Sequence, residues 1–240
     1  VPAKNCFQWL MAGWHMFTAQ PATWIMMTLG TIIILGLVSL TFGPAWAPVA
    51  APVVFTLLLG GMLYAARDYH ISGETRFVRL FAGFQNRLGS FSLVGVIFCS
   101  LQLLVLLLFS AIDGDWAPSI LGPNFSMIVN ALLQSIAALI TTLGVLFLTW
   151  AFMAITLIIS PALIVKDNAP PLEAFLAAAR GIIVNFRVIL LLVIVLYALT
   201  GIVLITFGFG IFIYLPVLVG TLHAACEDMF PNSPKTVEPA

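Results

Sequence analysis

Apolar residues gather in six long runs, separated by short polar or glycine- and proline-bearing stretches. The runs are Ala22–Phe42, Pro48–Ala66, Ser90–Ile112, Ile136–Val165, Val188–Thr206 and Phe207–Ala225. A helix needs about 20 apolar residues to cross the hydrocarbon of a bilayer, so each run predicts one transmembrane helix. The fourth run is long. The stretch before it, Met127 to Ser135, carries Asn130 and Gln134 and is read as starting outside the hydrocarbon. The last two runs are continuous over 38 residues, and Gly208 and Gly210 near their middle predict a tight turn. The alternative is one overlong helix, which would send the C-terminus to the other side.

The pattern therefore predicts an all-α, polytopic integral membrane protein, with six transmembrane helices forming three hairpins and short cytoplasmic interfacial helices. Residues 1–230 are expected to form a single transmembrane domain. Residues 231–240 form a polar, proline-bearing tail, either disordered or a short docking strand on a partner.

Charge gives this arrangement its sides. All nine Lys and Arg residues fall on one side, in four patches: Lys4; Arg67, Arg76, Arg79 and Arg87; Lys166, Arg180 and Arg187; Lys235. The positive-inside rule puts that side, with both termini, in the cytoplasm. It also favours the two-span reading of the last run, which returns Lys235 to the basic side. The opposite side has short links such as Gly43–Ala47 and one longer loop with Asp113 and Asp115. Trp46 and Trp116 lie at the outer boundary, and Trp9, Trp14 and Trp24 at the inner one, as an aromatic belt requires. The Ala45-Trp46-Ala47 triplet has the look of a signal-peptidase site, but Pro48 directly after it and the spanning length of the first run favour an uncleaved helix. The chain begins with Val rather than Met, which leaves room for preceding residues.

Composition agrees with this class. The chain is 62% hydrophobic and 8% charged, with a mean hydropathy of +1.15, whereas soluble domains are about 25% charged. Net charge is zero, and no basic face suited to nucleic acid exists. Cys6, Cys99 and Cys226 are too few and too scattered for a disulfide framework and read as apolar filler.

Three segments on the basic side read alike: Trp9-Leu10-Met11-Ala12-Gly13-Trp14, Arg79-Leu80-Phe81-Ala82-Gly83-Phe84 and Phe175-Leu176-Ala177-Ala178-Ala179-Arg180. Each precedes an outgoing run, and each returning run ends in a charged pair: Arg67-Asp68, Lys166-Asp167 and Glu227-Asp228. This predicts an internal repeat of three units, about 7–68, 77–167 and 173–228, each a short interfacial helix, a span out and a span back.

Candidate chemistry is sparse. No Asp, Glu, Lys, Arg or His occupies the central part of any run, although proton pumps and ion-coupled carriers rely on such groups. Gln102, Thr149 and Tyr197 are the candidates for interhelical polar contact, or for lining a central cavity. His15, His70 and His223 all fall at the basic boundary, without metal-ligand spacing. His223, near Cys226, Glu227 and Asp228, is the one worth testing for a cation. No nucleotide-binding, zinc-protease or serine-hydrolase motif is present. The reading is therefore no catalytic residue, no cofactor and no metal. Arg67, Arg76, Arg79, Arg87, Lys166, Arg180 and Arg187 are the candidate contacts for anionic lipid headgroups or a partner.

The motifs Gly13-Trp14, Pro21-Ala22-Thr23-Trp24, Gly60-Gly61-Met62, Ala65-Ala66-Arg67, Leu80-Phe81-Ala82-Gly83-Phe84, Ser160-Pro161-Ala162-Leu163, Glu173-Ala174-Phe175, Asn185-Phe186 and Pro216-Val217-Leu218-Val219-Gly220 run nearly the length of the chain. On these the chain resembles an uncharacterised family of proteobacterial six-span inner-membrane proteins. It is more loosely similar to the membrane domain attached to some glycerophosphodiester phosphodiesterases, whose catalytic domain is absent here. The resemblance implies a bacterial inner-membrane location and brings no site residues. The expected function is a non-catalytic accessory, assembly or scaffold subunit of a larger membrane complex. The alternative is a transporter or channel for a neutral or lipid-like solute.

Overall fold

The computed structural model describes residues 1–2, 4–113 and 159–231, with backbone alone at 44–45 and 104–113. Among them every regular element is helical. Val1–Cys99 and Ile155–Ala240 form one compact unit, and Ser100–Ala154 a second. Of the second unit, the described residues are the last turns of one helix.

Helix α1, Asn5–Ala19, buries Cys6, Trp9, Gly13, Met16 and Phe17 along one face. Their three- and four-residue spacing is that of an amphipathic helix. It stops at Gln20, whose φ of −142° is non-helical. Pro21 supplies the reason: its ring excludes the helical conformation from the residue before it, yet suits the first turn of a new helix.

Helix α2, Pro21–Ser72, has 52 residues and one non-helical position, Gly43, at φ 65° and ψ 177°. A straight helix of that length would reach about 78 Å at 1.5 Å per residue. Its ends nevertheless meet. The Gln20 side chain donates to the Gly73 carbonyl at 3.3 Å and accepts the Thr75 N–H at 2.9 Å. The chain therefore reverses at Gly43, in a backbone region essentially confined to glycine. The halves, Pro21–Gly43 and Trp46–Ser72, are each long and apolar enough to cross a membrane.

A 3₁₀ turn, Phe77–Phe81, leads into the short α3, Ala82–Asn86, and then α4, Leu88–Asp113. Residues 159–167 form α5. Helix α6, Pro171–Val184, opens with Pro171 and carries Glu173 in its first turn, which suits the positive end of the helix dipole. Helices α7, Phe186–Ile205, and α8, Ile211–Met229, flank a turn. There Phe207 and Gly208 both take positive φ, and the Gly208 N–H bonds the Val203 carbonyl. Thr200 on α7 bonds the Tyr214 hydroxyl on α8 at 3.2 Å, so these two helices also run back along one another. The glycine turn expected inside the 38-residue run is present.

Four helices are long and apolar enough to cross a membrane, as a membrane protein requires: the two halves of α2, α7 and α8. The third predicted span coincides with α4, of which Leu88–Leu103 is apolar by its described residues. Most of the fourth, Ile136–Val165, lies outside the described residues. The second and sixth spans run longer than expected. Helix α2 continues through Arg67 and Asp68 to Ser72, and α8 through Glu227 and Asp228 to Met229. A charged pair marks where hydrocarbon ends, not where helical hydrogen bonding ends.

Burial separates the helices into two kinds. Over their apolar windows, 56% of Trp46–Ser72 and of Ile211–Met229 is buried, against 17% of Pro21–Gly43 and 28% of Phe186–Ile205. The fully buried side chains include Leu58, Leu59, Met62 and Leu63 on α2, Ile164 on α5 and Val219 and Leu222 on α8, together with Trp24 and Met27 near the start of α2, Phe91 on α4 and Leu192 on α7. Pro21–Gly43 and α7 leave Ile33, Leu37, Leu40 and Ile194 exposed, an apolar surface suited to lipid.

Candidate functional site

The charged helix ends are joined by two docking contacts that share one spacing. Gly13 of α1 lies against the Val217 carbonyl and Thr221 of α8, so closely that a methyl group there would overlap backbone. Gly83 of α3 lies equally close to the Leu57 carbonyl and Gly61 of α2. Four residues before each glycine sits the donor to an aspartate. Trp9 donates its indole N–H to Asp228 at 2.9 Å, and Arg79 pairs with Asp68 at 2.5 Å. Val217 precedes Asp228 by eleven residues, and Leu57 precedes Asp68 by eleven. Both contacts thus set a glycine against a carbonyl of a long helix and a donor on the aspartate that ends its charged pair.

The ends of α2, α5 and α8 are also tied to one another. Arg67 on α2 donates to the Val165 carbonyl near the end of α5 at 2.9 Å. Lys166 on α5 donates to the Phe230 carbonyl just past α8 at 2.6 Å and pairs with Glu227 at 3.0 Å. The Phe230 ring fills the space beside Gly181 on α6. In both ties a cation meets a carbonyl at a helix C-terminus, the negative end of the dipole.

Between the ends of α2 and α8 stands Glu227, the partner of Lys166. A cavity of about 410 Å³ lies there. Ala12, Met16, Ala66, Gly220 and Ala224 give it small apolar walls, and Tyr69, His70, His223, Glu227 and Asp228 its polar ones. The His70 and His223 rings meet edge to face at 5.8 Å between centroids. His223 Nε2 is fully buried and has no hydrogen-bond partner among the described residues. No set of three His, Cys, Asp or Glu side chains converges on a metal-sized point among the described residues.

The seven predicted lipid or partner contacts divide in two. Arg67, Arg79 and Lys166 are engaged within the protein. Arg76, Arg180 and Arg187 are exposed, and Arg87 is partly so; none of these four forms an ion pair among the described residues. Gln102 and Tyr197 are each exposed, and Thr149 lies outside the described residues. Another interhelical polar pair among the described residues, Thr200 with Tyr214, has its members seven residues either side of Phe207. The turn itself was the signal that could have found it. Asp113 ends α4, and Asp115 lies outside the described residues.

All three cysteines are buried free thiols, and burial pushes the Cys6 thiol up from its ordinary pKa. A second, more open hollow of about 620 Å³ is edged by Asp68, Glu74, Arg76 and Arg79. No protein-family model matches the chain, and neither a curated protein nor a solved structure does.

Proposed function

We propose that the chain is a non-catalytic accessory or scaffold subunit of the bacterial inner membrane, with six spans in three hairpin units and its charged helix ends in the cytoplasm. The observation that carries this reading is the duplicated dock. Gly13 with Trp9 on α8 and Gly83 with Arg79 on α2 share one spacing, which supports units one and two as copies of one design. In both cases a short helix docks on the returning helix of a neighbouring unit, an interlock that a scaffold role would use. The third copy predicts that the buried face of α6, including Ala178, meets α5 near Ser160. Oxidation of an Ala178→Cys/Ser160→Cys variant should form a disulfide, and its absence under conditions that oxidise a control pair would overturn the repeat.

Arg76, Arg87, Arg180 and Arg187 are the groups left to meet anionic headgroups, each cation near a membrane surface contributing about 1 kcal/mol. For the scaffold role the test is isolation from native membranes with mild detergent. A stoichiometric complex is expected, and a monodisperse monomer would count against it.

A further inference from the structure

We infer that the α7–α8 turn does not emerge from the membrane: it ends inside the hydrocarbon of the far leaflet, with Phe207 and Phe209 among lipid acyl chains. The duplicated dock supplies a ruler. Gly13 marks Val217 on α8 and Gly83 marks Leu57 on α2, and the aspartate of each dock lies eleven residues beyond the mark. Helix α5 holds the same two ends together, taking Arg67 on the Val165 carbonyl and pairing Lys166 with Glu227. Outward from Val217, α8 runs six residues to Ile211, about 9 Å at 1.5 Å per residue. Outward from Leu57, the second half of α2 runs eleven residues to Trp46, about 17 Å. The third hairpin therefore stops about 8 Å short of the level of Trp46, whose indole suits the headgroup boundary. Helix α7 does not make up the difference. From Arg187 to Thr206 it rises about 28 Å, less than the hydrocarbon thickness of about 30 Å.

The chemistry of the turn fits that depth. In hydrocarbon no water can satisfy a backbone polar group, so a chain that reverses there must satisfy its own. Every backbone N–H from Thr206 to Tyr214 has an acceptor within the hairpin: that of Gly210 bonds the Thr206 hydroxyl at 2.9 Å, and the others bond carbonyls. The side chains are equally apolar. No charged residue and no tryptophan stands between Arg187 and His223, and the turn itself reads Thr206-Phe207-Gly208-Phe209-Gly210. Phe207 is 94% exposed and Phe209 75%. Phe207 also ends α7 in the left-handed region, at φ 52°, with the Gly208 N–H on the Val203 carbonyl and its own N–H on that of Leu204. Such a helix stop ordinarily places glycine or asparagine where Phe207 stands, because a bulky residue is strained there. In water an exposed phenylalanine would gain nothing in return, whereas among acyl chains its ring is at home. The exposed Ile194, Ile202, Leu204 and Ile205 of α7 lead up to it, so the tip continues the lipid-suited surface of that helix.

This depth rests on the reading of the chain as a membrane protein with its charged helix ends on one face. It does not use the scaffold role, so isolation of a monomer would leave it standing. The experiment compares Phe209→Cys with Trp46→Cys in purified full-length protein, each in nanodiscs of phosphatidylcholine, where both faces are open to reagent. The parent, whose three thiols are buried, is the blank. A sulfonated, membrane-impermeant maleimide is expected to label Trp46→Cys and to leave Phe209→Cys unlabelled until dodecyl sulfate dissolves the nanodisc. The same two cysteines, spin-labelled in detergent before reconstitution, report what surrounds them. At Phe209→Cys collisions with oxygen should exceed those with a water-soluble nickel chelate, and at Trp46→Cys the order should reverse. Phe207→Asn should lower the thermal midpoint in nanodiscs, since an amide loses its hydrogen bonds in hydrocarbon. In water the same change would raise it, because asparagine accepts positive φ more readily than phenylalanine. Equal labelling of the two cysteines overturns the inference. So does a Phe209→Cys label shielded from oxygen and nickel alike, as a protein partner or a second copy would shield it, or an unchanged or raised midpoint for Phe207→Asn.

Discussion

Alanine at Gly13 should destabilise the protein, whereas alanine at Gly36 should not. Both glycines are helical, and alanine in place of glycine gains about 1 kcal/mol of helix propensity at either site. At Gly36 nothing lies within 4 Å of an added methyl group, so the gain is kept. At Gly13 the methyl meets the Val217 carbonyl and the Thr221 N–H of α8, backbone atoms that cannot rotate aside. Forcing a methyl group into such a filled contact costs about 1–3 kcal/mol. The two variants should therefore differ by about 1–3 kcal/mol, Gly36→Ala being the more stable, which corresponds to roughly 5- to 150-fold in the unfolding equilibrium. Reversible unfolding in mixed micelles, followed by tryptophan fluorescence and far-ultraviolet circular dichroism, measures the difference. Gly83→Ala should behave like Gly13→Ala. Because the two docks share no partner, the double variant should sum the single losses. Equal stability of Gly13→Ala and Gly36→Ala would refute the close dock of α1 on α8.

Other outcomes follow from single contacts. Gly43→Ala should cost about 1–3 kcal/mol, because φ 65° with ψ 177° is strained for any side chain; the same unfolding assay reads it, and a neutral result would remove the reversal at Gly43. Arg79→Gln should cost less than about 1 kcal/mol and lose its effect in high salt, since the pair with Asp68 is about half exposed on the arginine side. Cys6 should react slowly with maleimide at neutral pH in the folded protein and quickly after denaturation, because burial both hides the thiol and holds it protonated. Fast labelling of Cys6 without unfolding would contradict its place on the buried face of α1.

Much of the helix layout could be read from apolar runs, because a membrane-crossing helix must present about 20 apolar residues whatever its neighbours. The Gly208 turn was legible for the same reason: only a reversal could fit two spans into 38 residues. The extension of α2 past Arg67 to Ser72 was not, since charged residues can stay helical in the headgroup region. Nor could composition divide the arginines. Arg67 and Arg76 look alike in sequence, but Arg67 finds the Val165 carbonyl on another helix and Arg76 remains exposed. The pairing of His70 with His223 was equally hidden. Their separation along the chain exceeds any local period, and a hydropathy pattern says which face is buried without naming what covers it.

The dock of α1 on α8 sets an order of events during synthesis. About 200 residues separate Gly13 from Val217, so the first helix leaves the ribosome long before its resting surface exists. At translation speeds of about 5–20 residues per second, α1 waits roughly 10–40 s with Trp9, Met16 and Phe17 uncovered. An amphipathic helix in that state can lie on the headgroup plane of the membrane until α8 arrives. Closure of α1 on α8 is then a late step of folding. A chain truncated before α8 would leave α1 on the lipid surface, open to proteases that inspect unfinished membrane proteins.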